Sequence, residues 1–186
     1  KHFGKYLEGG YYPFYKSARG GYHERISQIV SQMLERDWPE TEDVTLATVV
    51  KAKKMLMILA ESCPQVPKMN ELYAHLDTDR DQGLKILYAL ERAGILSLLS
   101  SKSASLGNLS RPDKIYCDNT NIMHALTVGT NSGTVRETFF LNQLRCAGHK
   151  VSYPPQGDFL VDGRHRFEVG GRGKGFTQIK DVPDSY

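Results

Sequence analysis

Cysteine is scarce in this chain, with three in 186 residues, at Cys63, Cys117 and Cys146, and no Cys-x-x-Cys among them. That spacing excludes a disulfide framework and a zinc knuckle, and it fits a reducing, cytoplasmic setting. No apolar run is long enough to span a bilayer and no secretory leader opens the chain, so no membrane partner is expected. A surplus of one charge is missing too. The 24 Lys and Arg against 21 Asp and Glu leave +3, and a pI near 8.7 permits nucleic acid as a partner without calling for it. No Gly-x-x-x-x-Gly-Lys-Ser/Thr occurs, which excludes ATP hydrolysis by these residues. Nor is there an initiating methionine, and the opening at Lys1 points to a segment of something longer.

What is present suffices for packed cores, because 40% of the residues are hydrophobic in a chain of 20.9 kDa. Residues 1–21 gather Tyr6, Tyr11, Tyr12, Phe14 and Tyr15 around Gly9-Gly10 and Pro13, which suits a turn packed on a neighbour. From Tyr22 to Asp37, Ile26, Ile29, Val30, Met33 and Leu34 fall at helical spacing, and Trp38-Pro39 is expected to close that helix. The acidic stretch from Glu40 to Asp43 then reads as a domain boundary.

Three helical patterns follow, over Thr48–Ser62, Asn70–Leu76 and Asp79–Ala93, then two strands over Ile95–Leu99 and Lys114–Cys117. Three helices and a ribbon make the order of a winged helix, a variant of the helix-turn-helix. Its third helix opens on Asp77, Asp79 and Asp81. Carboxylates there repel phosphates while capping the helix, so protein contact is expected ahead of DNA reading. A calcium loop is excluded, since its sixth and twelfth positions would be Gln82 and Tyr88 rather than Gly and Glu.

Asn119 to Leu126 reads as a short helix and Thr127 to Ser132 as a loop. Thr134-Val135-Arg136-Glu137 opens a longer helix through Leu144 to Ala147-Gly148. Ser/Thr followed three residues later by Glu is a capping box, and capping is the expected role of Glu137. Its spacing to Phe140, Leu141 and Leu144 also places it on the buried face.

Beyond a short strand, Lys150–Tyr153, a hairpin carries Asp158 and Glu168. Phe159, Val161, Phe167 and Val169 are odd-numbered and apolar, so both strands bury the same parity and odd must pair with odd. A two-residue Asp162-Gly163 turn would pair Val161 with Arg164 and break that rule. The register expected is therefore a three-residue loop, Val161 to Gly163, pairing Leu160 with Arg164 and Asp158 with Arg166, with Asp158 and Glu168 on one face. Gly170 to Gly175 lacks phosphate-loop spacing and reads as a basic turn, and residues 176–181 as a further strand or helix start.

A helix glutamate followed by a strand aspartate and a strand glutamate is the order of the PD-(D/E)XK nuclease core, whose acids hold Mg²⁺. The chain resembles the C-terminal part of a family of prokaryotic AAA-type P-loop ATPases, in which a winged helix and a nuclease-like domain of unknown function follow the ATPase. The resemblance is carried by Tyr6-Leu7-Glu8-Gly9-Gly10-Tyr11-Tyr12-Pro13, Asp113-Lys114-Ile115-Tyr116-Cys117-Asp118-Asn119-Thr120-Asn121, Gly133-Thr134-Val135-Arg136-Glu137-Thr138-Phe139-Phe140 and Phe167-Glu168-Val169-Gly170-Gly171.

It implies an α+β chain in three parts. Residues 1–43 would be the linker and helix joining an ATPase domain that alone binds ATP, 44–118 the winged helix, and 119–186 a small restriction-endonuclease-like α/β lobe cut short at Tyr186. Glu137, Asp158 and Glu168 would be the catalytic positions, with Asp158 and Glu168 as the Mg²⁺ ligands. The pattern wants Glu-x-Lys, whereas Glu168-Val169 is followed by Gly170; Lys174 would have to swing back from the glycine turn. Three functions follow: a regulatory or interaction module meeting its own ATPase domain, a protein partner or nucleic acid; a nuclease with a displaced lysine; and a DNA-binding winged helix.

Overall fold

The computed structural model describes residues 2–18, 20–64, 68–101, 111–170, 179–180 and 182–186. The glycine turn with Lys174, the segment 176–181 apart from Ile179 and Lys180, and most of the loop between Ser100 and Asp113 lie outside the described residues. The fold is α+β, with helices leading and two small antiparallel sheets, β1-β2 and β3-β4-β5.

The aromatic opening is more ordered than a turn. Helix α1 (His2–Glu8) and a 3₁₀ turn (Pro13–Lys16) bracket Gly10, whose φ of +127° suits glycine alone. The pair is tied down by Asn121, fully buried at the start of α7 (Thr120–Leu126). Its Oδ1 accepts from the Tyr11 amide at 2.9 Å and the Tyr22 hydroxyl at 2.6 Å, and its Nδ2 donates to the carbonyls of Tyr6 and Leu7 at 3.3 and 3.1 Å. Asn119 adds a bond from Nδ2 to the Tyr12 hydroxyl at 2.9 Å. Two of the stretches that carry the family resemblance therefore meet as one buried polar staple.

Helix α2 (Tyr22–Gln32) does not stop at Trp38-Pro39. It widens into a π-helical turn at Met33–Asp37 and continues as α3 (Trp38–Thr41). Proline lacks an N–H and its ring crowds the carbonyl one turn back. The wider turn, with Trp38 N–H donating to the Met33 carbonyl, removes that conflict, so the proline is absorbed instead of ending the helix.

Helices α4 (Leu46–Ser62), α5 (Met69–His75) and α6 (Arg80–Arg92) precede β1 (Leu96–Leu99) and β2 (Lys114–Cys117). Asp79 caps α6, accepting from the Gln82 amide at 2.8 Å, as carboxylates at that end should. Strands β1 and β2 pair Leu96 with Cys117 and Leu99 with Lys114. The ribbon is a wall shared by two cores. Ile115 and Cys117 join the large core of α2, α4, α5, α6 and α7, while Tyr116 and Leu99 join a smaller one with Leu141 and Phe159. Period-two alternation along a short strand produces that division.

Helix α8 (Ser132–Cys146) begins earlier than the capping-box reading requires. Asn131 is the cap, its Oδ1 accepting from the amides of Gly133 and Thr134 at 2.8 and 2.9 Å. Thr134 is thus already inside the helix, and Glu137 caps nothing.

The second sheet runs β3 (Val151–Ser152), β4 (Phe159–Val161), β5 (His165–Phe167), and Tyr153 N–H donates to the Ser100 carbonyl at 2.9 Å to join it to β1. Odd pairs with odd, as parity demands, but Phe159 pairs with Phe167, Leu160 with Arg166 and Val161 with His165. The expected partners, Arg164 for Leu160 and Arg166 for Asp158, are wrong by two residues. Asp162 and Gly163 take φ of +50° and +70°, and Arg164 N–H closes the turn on the Val161 carbonyl at 3.0 Å. The favoured Asp-Gly turn forms after all, and Arg164 enters the loop as an extra residue that restores parity.

Candidate functional site

Chemistry-bearing side chains converge where the two sheets meet α8. Lys114 stands at the start of β2, and its Nζ donates to Glu137 Oε2 at 2.8 Å and to Asp158 Oδ1 at 3.4 Å. Only 13%, 15% and 14% of these three side chains is exposed, so the charges interact through little solvent. Tyr116, one pleat along from Lys114, is fully buried and donates its hydroxyl to Glu137 Oε2 at 3.1 Å. The ammonium also lies 5.2 Å from the centre of the Tyr116 ring. Burial, followed by the Glu137 charge and its hydrogen bond, drives the Tyr116 phenol far above its ordinary pKa, so it serves as a fixed donor.

Each acid is placed by its element. Glu137 lies one turn before Leu141 on the face of α8 that packs on the small core. Asp158 immediately precedes β4, where its amide donates to the Phe167 carbonyl at 2.8 Å and its Oδ2 accepts from the Val169 amide at 2.9 Å. Both Asp158 oxygens are thereby engaged. Glu168 follows β5, with its backbone amide donating to the Tyr186 carbonyl at 3.0 Å.

Of the residues expected to form the site, the structure joins Glu137 and Asp158, and it does so through Lys114, a residue outside the expected set. Lys174 lies outside the described residues. Among the described residues, no group of three or more His, Cys, Asp and Glu is disposed to hold a metal ion, and no helix is long and apolar enough to cross a membrane. The signal for Lys114 was its parity with Tyr116 on a predicted strand. What the sequence could not supply was the neighbour, since Glu137 and Asp158 reach Lys114 across separations of 23 and 44 residues.

No curated protein and no solved structure matches the chain. A protein-family model described as a domain of unknown function (DUF8612) matches residues 1–133. The match holds Lys114, Tyr116 and the whole Asn121 staple, and it ends just before Glu137. Covering well over half of the chain, it shows that this protein belongs to the DUF8612 family of domains of unknown function.

Proposed function

We propose that the chain is a regulatory or interaction module of a prokaryotic AAA-type ATPase, with a winged helix over 44–118 and a nuclease-like lobe over 119–186 that does not cut. The observation that carries this reading is the Lys114 ammonium between Glu137 and Asp158. Two carboxylates arranged to hold Mg²⁺ need oxygens free to coordinate it, and here one internal ammonium already engages both acids while the Val169 amide takes the other Asp158 oxygen. The acids then work as mortar between β2, α8 and β4. The winged helix offers proteins more than it offers DNA: Asp77, Asp79 and Asp81 are exposed at the start of α6, and Leu46 and Met57 on α4 are 78% and 65% exposed.

A second reading has one observation in its favour. The displaced lysine of a metal-dependent nuclease would be Lys114 rather than Lys174, since Lys114 lies within hydrogen-bond reach of both acids. One assay separates the two readings. Plasmid DNA, single-stranded DNA and RNA are incubated with the protein in Mg²⁺ or Mn²⁺, beside a Glu137→Gln/Asp158→Asn variant. The module reading expects equal, background cleavage from both proteins. Metal-dependent cleavage that the double variant abolishes would overturn it in favour of the nuclease.

A further inference from the structure

A cavity of about 450 Å³ lies between the aromatic opening, α2 and the start of α7, and none of Lys114, Glu137 and Asp158 lines it. Its walls are apolar and aromatic, and they include Tyr11, Tyr12 and Phe14 of the opening, Ile29 of α2 and Met33 of the π-helical turn. One charged group lines it, Asp118.

The surroundings of Asp118 are unusual for a carboxylate that is not in an ion pair. Its Oδ1 accepts from the Ser97 hydroxyl at 3.2 Å and its Oδ2 from the Asn119 side-chain Nδ2 at 3.4 Å, both neutral donors at long range. Arg145 is the cation that it feels, but that guanidinium is committed to the Leu98 carbonyl at 2.6 Å and to Glu91 at 3.9 Å. Among the described residues, Asp118 forms no salt bridge. A half-buried carboxylate without a paired cation is disfavoured, and an entering cation would relieve that cost. Burial accordingly raises the Asp118 pKa above its ordinary value.

The rings complete the argument. Tyr11 meets Tyr12 edge to face, with centroids 5.1 Å apart at 79°, and Tyr12 stacks on Phe14 at 5.5 Å and 8°. Rings set at right angles beside a carboxylate have the composition of a cation cage. The cluster already attracts one cation, since the Arg25 guanidinium lies 5.3 Å from the centre of the Phe14 ring.

We infer that this cavity is a binding site for an alkylammonium group, free or carried on a lysine side chain, with Asp118 as its counter-ion and Tyr11 and Tyr12 as its aromatic walls. The aliphatic stem would lie along Ile29 and Met33, and the charged head would reach Asp118. The inference stands apart from the module reading, since it uses neither Glu137 nor Asp158.

The test is a titration of the whole chain, followed by ¹H–¹⁵N shifts and calorimetry, with n-butylammonium, acetyl-lysine-methylamide and a neutral alcohol one methylene longer than the amine, 1-pentanol. Both ammonium probes should bind at least about tenfold more tightly than pentanol, and Asp118→Asn should remove that preference without weakening pentanol. Tighter binding of the lysine derivative assigns the site to a protein side chain, and tighter binding of butylammonium to a free amine. Pentanol binding as tightly as the ammonium probes would overturn the inference, as would no shift with any probe at tens of millimolar. The comparison of charged and neutral probes is made on the unaltered protein, so it does not depend on how the variant folds.

Discussion

Lys114 Nζ lies 2.8 Å from Glu137 Oε2, so the strand that separates the two cores is fastened by charge to the helix that closes the smaller one. With Lys114→Met, Glu137 and Asp158 would face each other with no cation between them. Removing one partner of a buried ion pair costs about 3–5 kcal/mol, and the slight exposure of these side chains favours the lower part of that range. The same change would free the carboxylates for a divalent ion. Millimolar Mg²⁺ or Ca²⁺ should therefore raise the melting temperature of the variant and leave the parent protein unmoved. A variant that melts where the parent does, with or without metal, would show that the cluster carries neither role.

Asn121 uses both ends of its amide on backbone and side-chain groups of the amino-terminal segment. Asn121→Ala would strip partners from the Tyr11 amide, the Tyr22 hydroxyl and two carbonyls, at a position fully shielded from solvent. Roughly 3 kcal/mol should be lost, at about 1–3 kcal/mol for each buried group left unmade, tempered by relaxation. Early hydrogen exchange centred on residues 2–18 would accompany it, because Asn121 holds the Tyr6, Leu7 and Tyr11 backbone while the remaining anchors of α1 and the 3₁₀ turn are side-chain contacts such as Phe3 on Phe139 and Tyr12 on Asn119. Chemical denaturation of the variant and exchange by mass spectrometry provide the check.

Much of the fold could be read from residue patterns, because the information is local. Apolar spacing in Tyr22–Gln32, Leu46–Ser62 and Arg80–Arg92 declares amphipathic helices, and parity in Phe159, Val161 and Phe167 declares a hairpin in which odd pairs with odd. The errors arise where two local rules compete. At Thr134 the capping-box motif was outbid by Asn131, three residues upstream. At Asp162-Gly163 turn preference and parity seemed exclusive, until one extra residue satisfied both. Pro39 met a helix able to widen around it. The candidate site was half legible: Glu137 and Asp158 follow from order and spacing, whereas Lys114 belongs to it through a tertiary meeting of β2 with α8 that no local pattern encodes.

The thiols differ sharply in environment. Cys63 and Cys117 are buried, at 7% and 0% exposure, and Cys146 is exposed on α8. Hydrogen bonding to Cys117, then burial, holds the Cys63 thiol well above its ordinary pKa, so it offers almost no thiolate at neutral pH. A thiol titration of the native protein should count one reactive cysteine, and the unfolded protein all three. Cys146→Ser should bring the native count to zero with little change in stability. Two fast thiols in the native state would mean that the wall between α4 and β2 is open.

The last expectation concerns pH and follows from Asp118. Burial, the largest cause, raises its folded-state pKa above the unfolded value, with Asn119, Ser97 and Arg145 opposing. A raised acid binds its proton more tightly in the folded state, so it penalises folding once pH exceeds the folded pKa. The penalty fades as pH falls through that value and vanishes below the unfolded pKa, about 3.9 for aspartate. Glu91 is raised by burial in the same direction, which makes the trend additive. Asparagine at 118 keeps one acceptor for the Asn119 amide and can donate to the Ser97 hydroxyl, so the local bonds survive while the charge goes. Asp118→Asn should therefore melt above the parent at pH 8, with the gap closing as pH approaches 4. Melting curves over that range decide the matter. A gap that stays constant, or a variant less stable throughout, would mean that the Asp118 charge is already compensated in the folded protein, and saturating butylammonium at pH 8 should supply that missing compensation by raising the parent's melting temperature more than the variant's.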